Sequence, residues 1–147
     1  MKTITLWQPW ASLVAIGAKK IETRSWATKH RGPLAIHAAK KVDTNVCVKR
    51  EFVIPLNEHG MVMIKDLPVG AVIATCNLVD CVEIESASLL RRVARLKNGV
   101  EISGNEFVVG FYAPGRYAWI LEDVKQLDKP VPAVGKQRLW EWDGRLL

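Results

Sequence analysis

Residues 17–26 read GAKKIETRSW, so Lys19, Lys20, Glu22 and Arg24 arrive within six residues, behind a glycine and ahead of Trp26. These residue types can do two kinds of chemistry at this spacing. A glutamate can fix a neighbouring arginine or lysine, leaving the cations to meet phosphate or another anion. A lysine beside a carboxylate can also serve as a base when desolvation lowers its pKa. If residues 20–26 are extended, side chains alternate with period two. Lys20, Glu22, Arg24 and Trp26 then share one face, and Ile21, Thr23 and Ser25 share the other. Neither face is a typical core face, since Ile21 is the one strongly apolar residue of its set. Surface ion pairing of Glu22 with Arg24, of small energetic consequence, fits the same spacing. Spacing alone leaves both readings open.

Charge elsewhere points the same way. The net charge is +6, and residues 19–50 hold nine Lys or Arg against Glu22 and Asp43 alone. Lys29, Arg31, Lys40, Lys41, Lys49 and Arg50 extend the basic tract beyond the GAKKIETRSW stretch. Such a field attracts polyanions, nucleic acid above all, and accelerates their encounter.

The elements that must position these residues follow from periodicity. Thr3–Leu6 alternates as a strand does. Trp10, Leu13, Val14 and Gly17 recur at helical spacing behind Pro9, predicting a helix over Pro9–Ala18 that Gly17 terminates. Ile21–Trp26 is expected to be extended, with a turn at Arg31-Gly32-Pro33 and a buried strand over Pro33–Ala38. Asp43 is a candidate cap for a helix through Phe52. Ala71–Ile84 is the strongest strand signal in the chain. Residues 86–106 suggest a short helix or charged loop followed by turns at Asn98-Gly99 and Gly104-Asn105. Phe107–Tyr112, Tyr117–Leu121, Val124–Leu127 and Leu139–Trp142 complete the predicted elements, with Pro130–Gly135 as a loop. Many short strands with one early helix define an α+β domain, expected to be a single one over residues 1–147.

Composition excludes several classes. At 147 residues, 49% hydrophobic and 24% charged, the chain has ordinary globular composition. It carries no run of the ~18 apolar residues a membrane span requires. The opening MKTITLWQPW lacks the features of a secretory leader, and a cytoplasmic location is the expectation. Cys47, Cys76 and Cys81 follow no C-x-x-C spacing and are expected to be free structural thiols. His30, His37 and His59 do not recur at metal-ligand spacing, so neither metal nor cofactor is expected.

Six tryptophans add a further element. Interleaved with cations, exposed aromatics stack with bases at ~1–3 kcal/mol each. Trp10 on the helical stripe, Trp119 in a strand, and the alternating Trp140 and Trp142 are expected in the core. Trp7 and Trp26 flank the charged stretch.

The segment LWQPWASLVAIGAKKIETRSWATKHRGPLAIHA resembles the activating signal cointegrator homology (ASCH) domain of the PUA-like superfamily. Its signature G-x-K-x-x-E-x-R is matched by Gly17, Lys19, Glu22 and Arg24. The flanks are QPWA at Gln8–Ala11 and RGPLAIHAAK at Arg31–Lys40. GAVIATCNLVDC and YAWILEDVKQLDKPVPAVGKQRLWEW extend the likeness over most of the chain, leaving residues 42–67 and 87–106 outside it.

The resemblance implies a small β-barrel with the early helix packed beside it and short additional helices. It also implies a cleft lined by the signature. Nucleic acid, RNA ahead of DNA, is the implied partner. Gly17, Lys19, Glu22 and Arg24 would form the pocket, with Trp26, Lys20, Arg31 and Lys40 around it. A branch of the family hydrolyses the amide of N4-acetylcytidine, so a small hydrolase acting on RNA or a modified nucleoside is the alternative, with Lys19 and Glu22 as catalytic candidates. That branch uses a threonine where this chain has Glu22, and a later glutamate for which Glu83 or Asp80 would have to stand in. A third reading is a module whose basic tract meets an acidic protein.

Overall fold

The computed structural model describes residues Met1 to Gly144. Among these residues, eight strands alternate with three α-helices and two short 3-10 turns. The strands are β1 (Lys2–Gln8), β2 (Ile21–Arg24), β3 (Gly32–Val42), β4 (Ala71–Ser88), β5 (Val93–Leu96), β6 (Glu101–Ile102), β7 (Tyr117–Pro132) and β8 (Leu139–Glu141). The helices are α1 (Trp10–Ala15), α2 (Arg50–Glu58) and α3 (Gly104–Val108). Hydrogen bonding orders the strands β2-β7-β4-β3-β1-β8, with β5 added to β4 and β6 to β5. The α+β class expected from the sequence is thereby met. The path ends on β2 and β8 instead of returning on itself, so the pairing among the described residues is an open sheet where a barrel was expected.

Contacts group the chain into two compact units. One holds residues 1–18, 33–77 and 123 onward; the other holds 19–32 and 78–122, with β4 and β7 contributing to each.

In the first unit, β1 runs parallel to β3, pairing Thr3 with Ala35 and Ile4 with Ile36, and antiparallel to β8. β1 follows its alternation: Ile4 and Leu6 are buried. Helix α1 is shorter than its apolar pattern, and two local devices explain why. At its start, buried Gln8 accepts a hydrogen bond from the Ser12 backbone (3.0 Å) and donates to the Pro68 carbonyl (2.7 Å), tying the helix entry down. At its end, Ala18 N–H donates to Leu13 O and Gly17 N–H to Val14 O, with Gly17 at φ +79°. This is the Schellman stop, in which glycine takes the left-handed position. Leu13 and Val14 are fully buried, each contributing about 1.5–3 kcal/mol.

Trp140 and Trp142 pack with Ala35, Val72 and Val131, as their shared face predicts. Asp43 does not cap the helix: its carboxylate accepts the N–H groups of Asn45 and Val46 at the entry to a short 3-10 turn over Val46–Val48, whose N-cap is Asn45. Helix α2 begins seven residues after Asp43 and encloses Pro55 in its second turn. Trp10 meets Phe52 edge-on at 5.8 Å.

In the second unit, β2 pairs antiparallel with β7 and β4 pairs antiparallel with β5. Residues 86–106 depart from expectation. β4 continues to Ser88, four residues turn, and β5 returns toward the Asn98-Gly99 turn and β6. Arg91 and Arg92 lie in that exposed turn, whereas Arg95 is a cross-strand partner: its Nε lies 3.3 Å from Glu85 and its Nη1 3.8 Å from Glu101. Ala94, Leu96 and Ile102 turn inward on the other face, joining Ile21, Ile84, Phe107, Tyr112 and Ala118 in one core.

The expected strand over Phe107–Tyr112 is instead the end of α3 followed by a loop. Phe107 stacks on Tyr112 at 5.5 Å, which a five-residue separation on a strand would not permit. β7 is one long strand through Pro132 where two shorter ones and a proline loop were expected.

Candidate functional site

Strand β2 sets the geometry of the signature. Ile21 pairs with Ile120, Glu22 with Trp119, Thr23 with Ala118 and Arg24 with Tyr117. Ile21 and Thr23 are buried while Glu22 and Arg24 are half-buried, so the period-two reading holds. The strand's entry is fixed by Glu106 of α3, whose carboxylate accepts the N–H groups of Lys20 (2.8 Å) and Ile21 (3.3 Å). Glu106 carried no spacing signal in the sequence. Its contact spans more than eighty positions.

The two lysines separate. Lys20 is exposed, and Lys19 turns inward with 1% of its side chain accessible. Lys19 Nζ donates to the Ile21 carbonyl and lies 3.4 Å from Glu22 Oε1. Arg24 Nε stands 3.0 Å from the other oxygen, Glu22 Oε2. One carboxylate thus holds a buried ammonium on one side and a half-buried guanidinium on the other.

A third cation completes the cluster, and the sequence did not point to it. Arg116 donates from Nε to the Phe111 carbonyl (3.1 Å) and from Nη2 to the Thr23 carbonyl (3.3 Å). Burial pushes the Arg116 guanidinium down from its ordinary value; the Glu22 charge opposes this and the Arg24 charge adds to it. Arg116 meets no carboxylate at ion-pair distance among the described residues. Tyr112, 5% exposed, lies where burial and the charges of Glu106 and Glu22 push its phenol upward. Its hydroxyl finds no hydrogen-bond partner among the described residues. Pro114-Gly115 signals a turn before Arg116, but nothing in its spacing points to β2, 93 positions away.

The remaining expected residues are placed as follows. Trp26 packs edge-on against Trp119 at 4.8 Å, and its carbonyl accepts from the Trp119 indole. Arg31 reaches Asp80 at 3.5 Å and donates to the Thr28 and His30 carbonyls. Gly17 and Lys40 lie in the other unit, where Lys40 is exposed and its chain runs beside Gly70. Glu83 is engaged by Lys97 at 2.8 Å, and Asp80 by Arg31. Thr23 points to the buried side, its hydroxyl accepting the Phe111 N–H at 3.1 Å. No group of three His, Cys, Asp or Glu among the described residues is placed to hold a metal. Burial pushes the Cys76 thiol up to about 12.

The open sheet, the early helix stopped at Gly17 and the lysine–glutamate–arginine cluster define a member of one domain class. The ASCH domain model matches residues 4–131, and the chain belongs to that family. It is 35% identical over 80 residues to human activating signal cointegrator 1, covering 53% of this chain and 14% of that protein. It is 25% identical over 145 residues to the mouse protein of the same name, covering 97% of this chain and 22% of that one. The chain therefore spans less than a quarter of the length of these relatives. In fold it is similar to the crystal structure of ASCH from Zymomonas mobilis, at TM-score 0.50 and 17% identity, over 89% of this chain and 72% of that one.

Proposed function

We propose that this ASCH domain binds nucleic acid, RNA in preference to DNA, through the cluster of Lys19, Glu22, Arg24 and Arg116. The observation that carries the reading is the imbalance at that cluster: Lys19 and Arg24 engage the two oxygens of one carboxylate, and Arg116 stands within reach of its charge with no carboxylate at ion-pair distance among the described residues. Buried Lys19 and half-buried Glu22 hold Arg24 in a fixed pose. Arg24 and Arg116 are half-buried, and the guanidinium is the side chain whose planar fork suits phosphate or a base edge. Lys20, Lys29, Lys40 and Lys41 would add sequence-independent attraction.

The hydrolase alternative has less behind it. Glu22 stands where the amidohydrolase branch has threonine, and the Thr23 hydroxyl faces inward to Phe111 N–H. Glu83 and Asp80 are engaged by other cations.

The test is fluorescence anisotropy of labelled single-stranded RNA titrated with the protein across a series of salt concentrations. The expected result is saturable binding whose affinity falls linearly on a log–log plot with salt. Binding to an acidic protein but to neither RNA nor DNA would overturn the reading. Release of cytidine from N4-acetylcytidine would replace it with the hydrolase.

A further inference from the structure

Phe111 is 64% exposed, whereas Phe107, Tyr112 and Trp119 of the same unit are buried. A single exposed phenylalanine is unremarkable by itself. What distinguishes Phe111 is how firmly it is held. Its N–H donates to Thr23 Oγ1 at 3.1 Å and its carbonyl accepts from Arg116 Nε at 3.1 Å. The Arg116 guanidinium carbon stands 4.2 Å from the ring centroid, and Nη2 is anchored on the Thr23 carbonyl at 3.3 Å. The fold thus presents a rigid aromatic ring to solvent, backed by a cation with no carboxylate at ion-pair distance among the described residues. Both are attached to β2, which carries Glu22 and Arg24.

We propose that Phe111 and Arg116 form a stacking platform for one base of a single-stranded nucleic acid, with the adjoining phosphate meeting Arg116 and Arg24. This rests on the nucleic-acid reading and gives it a ligand class, an unpaired base with its own phosphate. The physical grounds are three. Every base has a π face, so an exposed ring takes any of them, provided the strand is unpaired. A guanidinium against the ring adds cation–π attraction. Pre-organisation by hydrogen bonds to backbone spares the ordering cost that binding would otherwise carry. A lone cation would attract a duplex as well as a single strand; the ring is what selects the unpaired one.

The experiment compares two labelled oligonucleotides of equal length and charge, about eight nucleotides long, within the span such sites occupy. One carries bases and the other is an abasic sugar–phosphate chain. The wild-type protein should bind the base-containing strand about 10-fold more tightly, a factor within the range of one aromatic–base stack. Phe111→Ser should erase that preference while leaving affinity for the abasic strand unchanged. Its melting temperature should match the wild type, because the ring is largely exposed. Arg116→Lys, which keeps the charge and loses the held geometry, should weaken binding to both strands.

If the wild type binds both strands equally in a salt-dependent manner, or Phe111→Ser keeps the preference, the platform falls and the cluster reading stands. If the wild type binds neither strand, both fall.

Discussion

Lys19 Nζ lies 3.4 Å from Glu22 Oε1 with 1% of the lysine side chain exposed, so the signature lysine acts from inside the fold. A buried ammonium is costly unless it is paired and hydrogen-bonded, and here the Ile21 carbonyl and Glu22 do both. Lys19 is thus a positioning residue for Glu22, and Glu22 in turn orients Arg24. On the proposed reading, the cations that meet the ligand are those at the end of this chain of contacts.

Removing the buried ammonium should therefore register first as lost stability. Lys19→Met is expected to destabilise the protein by about 2–3 kcal/mol, below the ~3–5 of an isolated buried pair because Arg24 still faces Glu22. Urea denaturation checks this, and a change within about 0.5 kcal/mol, typical of a surface site, would show that the pair contributes little.

Gly110 is a second sensitive position, for steric reasons. A Cβ there would stand 2.5 Å from Tyr112 Cε2 and 3.2 Å from Cδ2, against a ring already stacked on Phe107. Gly110→Ala should cost about 1–3 kcal/mol by overpacking and alter the near-ultraviolet circular dichroism of the aromatic core. An unchanged melting temperature and spectrum would mean that the Tyr112 ring moves freely.

His37 should give the fold a pH dependence at its acid side. It is buried, bonds the Ala133 carbonyl at 2.8 Å and packs on Trp140. Burial holds its pKa below the ordinary 6.5, with the Ala133 hydrogen bond partly opposing. The unfolded chain then takes up the proton first as pH falls. Stability should decline from about pH 6.5 downward until the folded ring also titrates. Denaturation midpoints of wild type and His37→Phe across pH 7.5 to 5 test this: the difference between them should change below about 6.5 and stay constant above it.

Much of this architecture is legible in the sequence. The early helix, its stop at Gly17 and the alternation of Ile21, Glu22, Thr23 and Arg24 follow from short-range rules, and the structure obeys them. Trp140 and Trp142 sit in the core as their spacing requires. The misread segments share a cause. Residues 86–106 suggest a short helix or charged loop, whereas the opposite charges of Arg95 lie across the neighbouring strands at Glu85 and Glu101. At Phe107–Tyr112 apolar content suggested a strand, but Ser103-Gly104 opens a helix and the stacking of Phe107 on Tyr112 folds the segment back. Arg116, Phe111 and Glu106 reach β2 across more than eighty positions. No local pattern encodes such a contact.

The central claim is that a fixed cluster, and not diffuse positive charge, grips the ligand. Arg24→Gln and Lys41→Gln separate the two, because each removes one positive charge. Lys41 lies over the exposed Trp7 ring at 4.7 Å, outside the cluster. The affinity of each variant for single-stranded RNA at one moderate salt concentration is the deciding measurement. Arg24→Gln should lose about 10-fold or more, what a charge-assisted hydrogen bond contributes, and Lys41→Gln about 2-fold. Equal losses from the two would leave only diffuse charge and contradict the account.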